Sequence, residues 1–101
     1  MPDKYAIRYL PIAEDDLLSV YDWIAGNSPA RAITFTEKLD ERIGALAANP
    51  HLGREPKNEK LARDGYRVLV IESYLVFYVI RGHTVEIHRV IHGSRHLDDI
   101  V

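Results

Sequence analysis

Three histidines near the C-terminus, His88, His92 and His96, are spaced four residues apart, as metal ligands on one face of a helix would be. The β-branched residues around the first of them predict a strand over residues 84–91. A strand rises about 3.3 Å per residue, so His88 and His92 would lie about 13 Å apart, too far to share one ion. We therefore expect neither a metal site nor a cofactor.

Arginines near strand ends, together with a histidine-rich segment, are the other candidates for chemistry. They are Arg67, Arg89, His92 and Arg95. A guanidinium can bind a phosphate or a carboxylate through two parallel hydrogen bonds, and a histidine can titrate near neutral pH. Spacing alone leaves two interpretations open. One is a site for a phosphate or an acidic partner, and the other is a set of surface residues paired with Glu86, Asp98 or Asp99.

Other kinds of catalytic centre have no support in the sequence. Ser73 is expected in a turn, and Ser94 lacks the flanking motif of a nucleophile elbow. No glycine-rich phosphate loop is present, and the lack of cysteine excludes thiolate nucleophiles, thiolate metal sites and disulfides. Adjacent carboxylates near a chain end, as at Asp98 and Asp99, are typically solvated.

The composition predicts one domain over residues 1–101. Hydrophobic residues make up 47% of the chain and charged residues 28%, which suits a packed core with a solvated surface. The formal net charge of −2 argues against binding to nucleic acid through bulk electrostatics. The longest apolar stretch, residues 75–80, is strand-sized, and charges among residues 1–10 argue against a signal peptide. We therefore expect a cytoplasmic protein without a membrane span.

The elements that would position the candidate residues begin with a strand and two helices. Residues 5–10 are aromatic-rich and predict a strand. Apolar residues at helical spacing predict an amphipathic helix over residues 12–25, with acidic residues near its start. Ser28 is typical of an N-cap and begins a second predicted helix, which ends at Asn49-Pro50.

The second half of the chain predicts a polar connection and a meander of strands. Residues 51–65 mix glycine, proline and basic residues, with one helical turn expected near residues 59–63. Strands are predicted over three runs, residues 66–71, 74–80 and 84–91. A last helical turn is expected within residues 92–101. The fold class is therefore α+β: an N-terminal strand, a helical hairpin and a three-stranded antiparallel meander.

Both faces of the predicted meander are apolar, which is unusual for a sheet covered on one side only. Leu69 in the first meander strand, and Leu75 and Phe77 in the second, lie on faces that alternate with other apolar residues. Two helices can cover only one face. The second face is therefore covered by the 51–65 connection or by a homodimer partner, or else it binds another polypeptide.

Several short segments carry a resemblance to a known family. They are Ile7-Arg8-Tyr9, Asn49-Pro50 with Gly53-Arg54, Gly65-Tyr66-Arg67, residues 74–80, and Val90-Ile91-His92-Gly93-Ser94-Arg95. In order and spacing, these segments resemble the RelE/ParE toxins over nearly the whole chain. The stretch from Arg67 to Arg95 is the most specific part.

The resemblance implies a small α+β fold and a cognate antitoxin, which wraps a segment over the toxin and silences it. It also implies one of two activities. RelE-like members cut mRNA in the ribosomal A site without a metal, using a basic cluster that activates the 2′-hydroxyl and stabilises the phosphorane. ParE-like members act on DNA gyrase and trap it on cleaved DNA.

Carried over residue by residue, the resemblance implies an incomplete ribonuclease centre. Arg67 and Arg95 match two basic positions, whereas Leu69 and Leu75 stand where two further cations would be expected. The late tyrosine position falls at or beyond Val101. Each missing cation removes stabilisation from a transition state in which negative charge builds on the phosphate.

We therefore expect a ParE-like toxin that inhibits gyrase and is neutralised by a cognate antitoxin. The chain is expected to form either a homodimer or a hetero-oligomer with the antitoxin. Its expected partner-binding residues are Leu69, Leu75, Phe77 and Arg89. One alternative is a ribosome-dependent mRNA endonuclease that uses Arg67, His92 and Arg95, since some relatives replace lysines with histidine. The other is a binding module without toxic activity.

Overall fold

The protein folds as a strand, two helices, a short third helix and three further strands; the structure is a computed structural model that describes residues 4–94. The strands are β1 (Ala6–Tyr9), β2 (Arg67–Ile71), β3 (Tyr74–Arg81) and β4 (Thr84–His92), and the helices are α1 (Pro11–Ala25), α2 (Pro29–Gly44) and α3 (Glu59–Arg63). This is the predicted α+β architecture. The helical turn expected in the tail and Arg95 lie outside the described residues.

The two long helices begin where the sequence predicts. Pro11 occupies the first turn of α1, where an N–H would have no helical partner. The Ser28 hydroxyl caps α2 by accepting a hydrogen bond at 3.2 Å from the amide three residues later. As an α-helix, α2 ends at Gly44, earlier than predicted, and continues as a 3₁₀ turn over Ala45–Ala47.

The four strands form one sheet in the order β1-β4-β3-β2. β1 runs parallel to β4, and the other neighbouring pairs are antiparallel, as the predicted meander requires. The β2–β3 hairpin turns through Glu72 at φ 54°, and the β3–β4 hairpin turns through Gly82 at φ 58°. Positive φ is uncommon for a residue with a side chain, so the first of these turns is the more constrained.

α1 and α2 pack on one face of the sheet and form the main core. Side chains from both helices, including Val20, Phe35 and Leu39, meet the inward residues of all three meander strands. Tyr78, at the centre of β3, has 0% exposure in this core. The helices are therefore fixed against the sheet largely by apolar burial, at about 25 cal/mol for each Å² removed from water.

The predicted exposure of Leu69 and Phe77 is wrong. Leu69 is 4% exposed and lies beneath the helices, so it does not share a face with Leu75 and Phe77. Phe77 lies on the opposite face but has 0% exposure, because it packs in a second cluster with Leu61 of α3. Of the coverings left open, the 51–65 connection is the one that covers Phe77. Alternation shows which residues of one strand share a face, but it does not show which face the helices cover.

Candidate functional site

Arg67 lies at the start of β2 and directs its guanidinium into the connection that precedes the strand. Its Nε donates a hydrogen bond to the Gly53 carbonyl at 3.1 Å, and its Nη2 donates to the His51 carbonyl at 3.1 Å. The same Nη2 also donates to the Gly53 carbonyl. The side chain is half-buried. Arg67 therefore fastens the chain near Gly53 to the sheet, and these donors are directed to backbone carbonyls.

Tyr78, at the centre of β3, forms further hydrogen bonds to the same segment. Its buried hydroxyl donates to the Pro50 carbonyl at 2.7 Å and accepts from the Gly53 amide at 2.9 Å. A Cβ at Gly53 would lie 2.6 Å from that hydroxyl and 2.8 Å from the Val68 carbonyl, so only glycine fits without a shift of the backbone. We call residues 50–53 the anchored segment.

Arg89 is paired within the chain. Its Nε lies 2.7 Å from Oδ2 of Asp16 on α1, and its Nη2 lies 2.9 Å from Oδ1, which makes a bidentate pair. The two side chains are 13% and 12% exposed. The hydrogen bond that Arg89 donates to Asp16 raises the pKa of Arg89 above its ordinary value, against the opposing effect of burial. The predicted partner-binding cation is thus a link between α1 and β4.

The same carboxylate supports an irregularity in β4. The pairing of β3 with β4 shifts between Phe77 and Tyr78, so β4 holds one extra residue, His88, as in a β-bulge. A bulge disrupts the hydrogen-bond ladder locally. Asp16 Oδ2 accepts a hydrogen bond at 2.9 Å from the Val90 amide, next to the bulge. Asp16 therefore satisfies a side chain and a backbone group of β4 together.

His92 lies at the end of β4 and is exposed. Its ring packs edge-on against Tyr74, with ring centroids 5.3 Å apart. Its Nδ1 lies 3.2 Å from the Ser94 amide nitrogen and 2.8 Å from the Ser94 hydroxyl. Because an amide N–H can only donate, Nδ1 is assigned as the acceptor, and the neutral ring then carries its proton on Nε2.

Two neighbouring clefts, of about 270 and 520 Å³, share Trp23, Tyr74 and His92. We call this region the aromatic cleft. Trp23 on α1 is 74% exposed. Half-buried Leu75 pairs with Ile91 at the same end of the sheet, beside the position where His92 ends β4. Exposed aromatic side chains beside a concave surface are typical of binding sites.

The residues of the ribonuclease alternative are not brought together. Arg67 pairs with Tyr78 and His92 pairs with Tyr74, so they lie at different ends of β3 and on opposite sides of it. With about 3.3 Å per residue and about 4.8 Å between strands, their Cα atoms lie roughly 16 Å apart. Arg67 is also held away by its bonds to the anchored segment. Arg95 lies outside the described residues.

His88 joins a hydrogen-bonded cluster beside the second sheet face. Its Nδ1 lies 2.9 Å from the Tyr66 hydroxyl and its Nε2 lies 3.2 Å from Oε1 of Glu86, to which Arg81 Nε also donates at 2.8 Å. Burial, foremost, raises the pKa of Tyr66, and the hydrogen bond with His88 lowers that of Glu86. Glu86 is therefore paired with His88 and Arg81 rather than with Arg67 or Arg89. Within residues 4–94, no three acidic or histidine side chains are arranged to hold a metal ion.

Sequence reasoning missed the roles of Asp16, Tyr78 and Trp23. In the sequence, Asp16 is one of the acidic residues near the start of α1, and its partner 73 residues away leaves no local signal. Tyr78 was one apolar residue among many in its strand. The sequence does contain a signal that Trp23 is exposed, because this residue falls outside the stripe of α1 that contains the buried Ala13 and Val20.

A family model described as the ParE toxin of the type II toxin–antitoxin system, parDE, matches residues 7–97. No curated protein matches significantly. Within the described range, no helix is both long enough and apolar enough to cross a bilayer.

Two solved structures share the fold. One is from the chromosomal ParDE TA system of P. aeruginosa, with 21% identity, a TM-score of 0.72, and coverage of 88% of this chain and 96% of that chain. The other is from the toxin–antitoxin complex RelBE2 of Mycobacterium tuberculosis, with 26% identity, a TM-score of 0.60, and coverage of 94% and 98%. The fold is thus shared with a structure from a ParDE system and with one from a RelBE2 complex.

Proposed function

Because the chain belongs to the ParE toxin family of type II toxin–antitoxin systems, we propose that it inhibits DNA gyrase and that a cognate antitoxin neutralises it. The antitoxin partner is supported by the similar structures, one from a ParDE system and one from a RelBE2 complex. The choice of gyrase over mRNA rests on how the cations are arranged in this chain.

The observation that carries the gyrase proposal is the dispersal of cations over the sheet. Metal-free cleavage of RNA needs several fixed donors around one phosphate. Arg67 is bonded to backbone carbonyls and Arg89 to Asp16. The Cα atom of His92 lies roughly 16 Å from that of Arg67, on the other side of β3. Such an arrangement favours a surface that binds a protein over a centre that cuts a phosphodiester.

We assign the gyrase contact to the aromatic cleft. Trp23 offers an exposed indole, and Tyr74 and His92 line the adjoining concave surface. Of the residues predicted from sequence, Leu69 and Phe77 are buried and half-buried Leu75 packs against the second cluster, so none of the three lines the aromatic cleft. Tryptophan and tyrosine are enriched among the residues that dominate protein interfaces.

Expression without the antitoxin tests the proposal. Poisoned gyrase should induce the DNA-damage response and accumulate cleaved plasmid, while mRNA stays intact. Trp23→Ala should reduce both effects strongly. The matched control is Ile33→Ala, which removes another apolar side chain that is 51% exposed but lines neither part of the aromatic cleft.

Two outcomes would overturn the proposal. Codon-positioned mRNA cuts with intact plasmid would establish the ribonuclease alternative. In that case Arg67→Gln, which keeps a donor for the Gly53 carbonyl but removes the cation, should abolish cleavage. Unchanged growth at high expression would instead establish a binding module without toxicity.

A further inference from the structure

The walls of the aromatic cleft are held in place by the chain itself. The ring of Tyr74 contacts two other rings, with its centroid 5.3 Å from that of Phe35 on α2 and 5.3 Å from that of His92. At the same end of the sheet, the Gly93 amide donates a hydrogen bond at 2.8 Å to the Ser73 carbonyl, which joins the turn before β3 to the end of β4. A ligand that enters such a cleft loses little free energy to the ordering of its walls.

One cation of the aromatic cleft, Arg31 near the start of α2, is not engaged in a close pair. Its guanidinium lies 3.9 Å from Oε1 of Glu72, beyond hydrogen-bond distance, whereas Lys38 Nζ lies 3.0 Å from Oε2 of the same carboxylate. The other acid that lines the cleft, Asp16, is paired with Arg89. In the described part of the chain, both acids of the cleft therefore have a closer cation than Arg31, whose guanidinium donates no hydrogen bond to a described residue.

His92 supplies a second donor to the aromatic cleft. Because its Nδ1 accepts a hydrogen bond from the Ser94 amide, the neutral ring keeps its proton on Nε2. No residue of the described chain accepts a hydrogen bond from that nitrogen. His92 and Arg31 both line the part of the cleft that measures about 270 Å³, which Trp23 also lines. Two donors beside an aromatic surface suit a carboxylate that is carried next to an apolar group.

We propose that the aromatic cleft recognises a protein segment in which a carboxylate lies next to a bulky apolar side chain, and that Arg31 selects the carboxylate. The inference rests on the proposed gyrase contact and adds the chemistry of the segment that is bound there. The apolar side chain packs on Trp23 and Tyr74, and the carboxylate accepts hydrogen bonds from Arg31. The larger part of the cleft, about 520 Å³, has a volume typical of ligand sites.

A nucleic acid is the less suitable occupant of the aromatic cleft. Helix α1, which supplies Trp23, carries four acidic residues and no basic one, and the whole chain has a formal net charge of −2. A phosphate backbone brings one negative charge with each nucleotide, so α1 would repel it. A single carboxylate on an otherwise uncharged segment is the closer match to the one guanidinium of Arg31.

The fluorescence of Trp23, the one tryptophan of the chain, tests the proposal directly. The full chain is titrated with a short peptide in which phenylalanine is followed by glutamate between glycine and serine residues. A second peptide carries glutamine in place of the glutamate, and neither contains tryptophan. The glutamate peptide should shift the emission to shorter wavelengths and bind about fivefold more tightly than the glutamine peptide. This preference should decrease as the salt concentration rises.

Two matched variants locate the preference. Arg31→Gln should abolish it, so that the two peptides bind with affinities within about twofold of each other. Arg42→Gln removes the same charge from an exposed position of the same helix, lines neither part of the aromatic cleft, and should keep the preference. Circular dichroism checks that both variants are folded, as expected for exposed side chains.

Three outcomes of the titration would overturn the proposal. They are equal binding of the two peptides to the wild type, no change of emission with either peptide up to about 10 mM, and equal loss of the preference in the two variants. Tighter binding of a single-stranded oligonucleotide of thymidines than of the glutamate peptide would also overturn it, and would assign the cleft to nucleic acid.

Failure of this proposal is distinguishable from failure of the gyrase proposal, because the titration contains no gyrase. In the presence of gyrase and supercoiled plasmid, Arg31→Gln should yield less cleaved DNA than Arg42→Gln at the same concentration. Equal cleavage by the two variants would refute the role of Arg31 and leave the gyrase proposal standing. No cleavage by the wild type, with the peptide preference intact, would refute the gyrase proposal alone.

Discussion

Two apolar surfaces lie outside the main core, and one of them is buried by the chain itself while the other is exposed. The sheet face with Phe77 is covered by Leu61 of α3, whereas α1 leaves Leu18 66% exposed and Trp23 74% exposed. The connection that leads into α3 is also held by hydrogen bonds of Arg67 and Tyr78 to backbone groups of the anchored segment. In this chain, apolar alternation in the strands marks surface that the chain covers itself, and the outer sides of α1 are what remain for partners.

The largest expected loss of stability follows from breaking the pair of Asp16 on α1 with Arg89 on β4. Asp16→Ala leaves the Arg89 guanidinium without its bidentate partner and the Val90 amide without its acceptor. Because the pair is mostly buried, we expect a loss of about 3 kcal/mol in the free energy of unfolding, measured by urea denaturation. Asp15→Ala, at an exposed position, should change it by less than about 0.5 kcal/mol. Equal losses in the two variants would refute this role for Asp16.

A smaller effect is expected at the anchored segment. Gly53→Ala forces a methyl group within 2.6 Å of the Tyr78 hydroxyl, so we expect a loss of about 2 kcal/mol in the free energy of unfolding. Gly44→Ala is the control, because a Cβ there meets nothing within 4 Å and alanine favours a helix by about 0.5 kcal/mol or more. A Gly53→Ala protein as stable as the wild type would show that the segment moves freely.

Arg67→Gln separates anchoring from catalysis. The glutamine amide can replace one hydrogen bond to the anchored segment but not the guanidinium pair, so we expect a loss of about 1 kcal/mol in stability. Hydrogen exchange of the Gly53 amide should speed up. Toxicity should persist at the level of the folded protein, whereas a complete loss of toxicity with unchanged folding would point to a catalytic arginine.

The smallest effect is a pH dependence at Glu86. The hydrogen bonds from His88 and, less, from Arg81 lower the pKa of Glu86 below its ordinary value of 4.5. A lowered pKa in the folded state means that Glu86 stabilises the protein above the ordinary value, and that this contribution is lost as the pH falls through the lowered pKa. Glu86→Gln should therefore flatten the profile of unfolding free energy against pH, relative to the wild type, between pH values of about 5 and 3. Parallel profiles would contradict the assignment.

Much of the fold follows from local signals in the sequence. Ser28 and the prolines that follow Leu10 and Ser28 start the helices, and the helical turn expected near residues 59–63 is α3. What failed depends on contacts between distant segments. The register that separates Leu69 from Phe77, and the pairing of Asp16 with Arg89, join residues from different elements, so neither leaves a periodic pattern.

The candidate site was less accessible to sequence reasoning than the fold. Resemblance singled out Arg67 and His92, but their roles depend on where a guanidinium and a ring point. The bonds of Arg67 to two carbonyls and the contact of His92 with Tyr74 exist only in the folded chain. Trp23 was overlooked because an apolar residue on the solvent side of a helix carries no requirement for folding.

We propose that this chain binds gyrase and does not cut RNA. The most direct measurement incubates the purified protein with gyrase and supercoiled plasmid, and in parallel with ribosomes programmed with mRNA. We expect cleaved plasmid DNA and uncut mRNA; the plasmid cleavage should be lost with Trp23→Ala and kept with Arg67→Gln. Intact plasmid together with mRNA cut in the ribosomal A site, and abolished by Arg67→Gln, would contradict it.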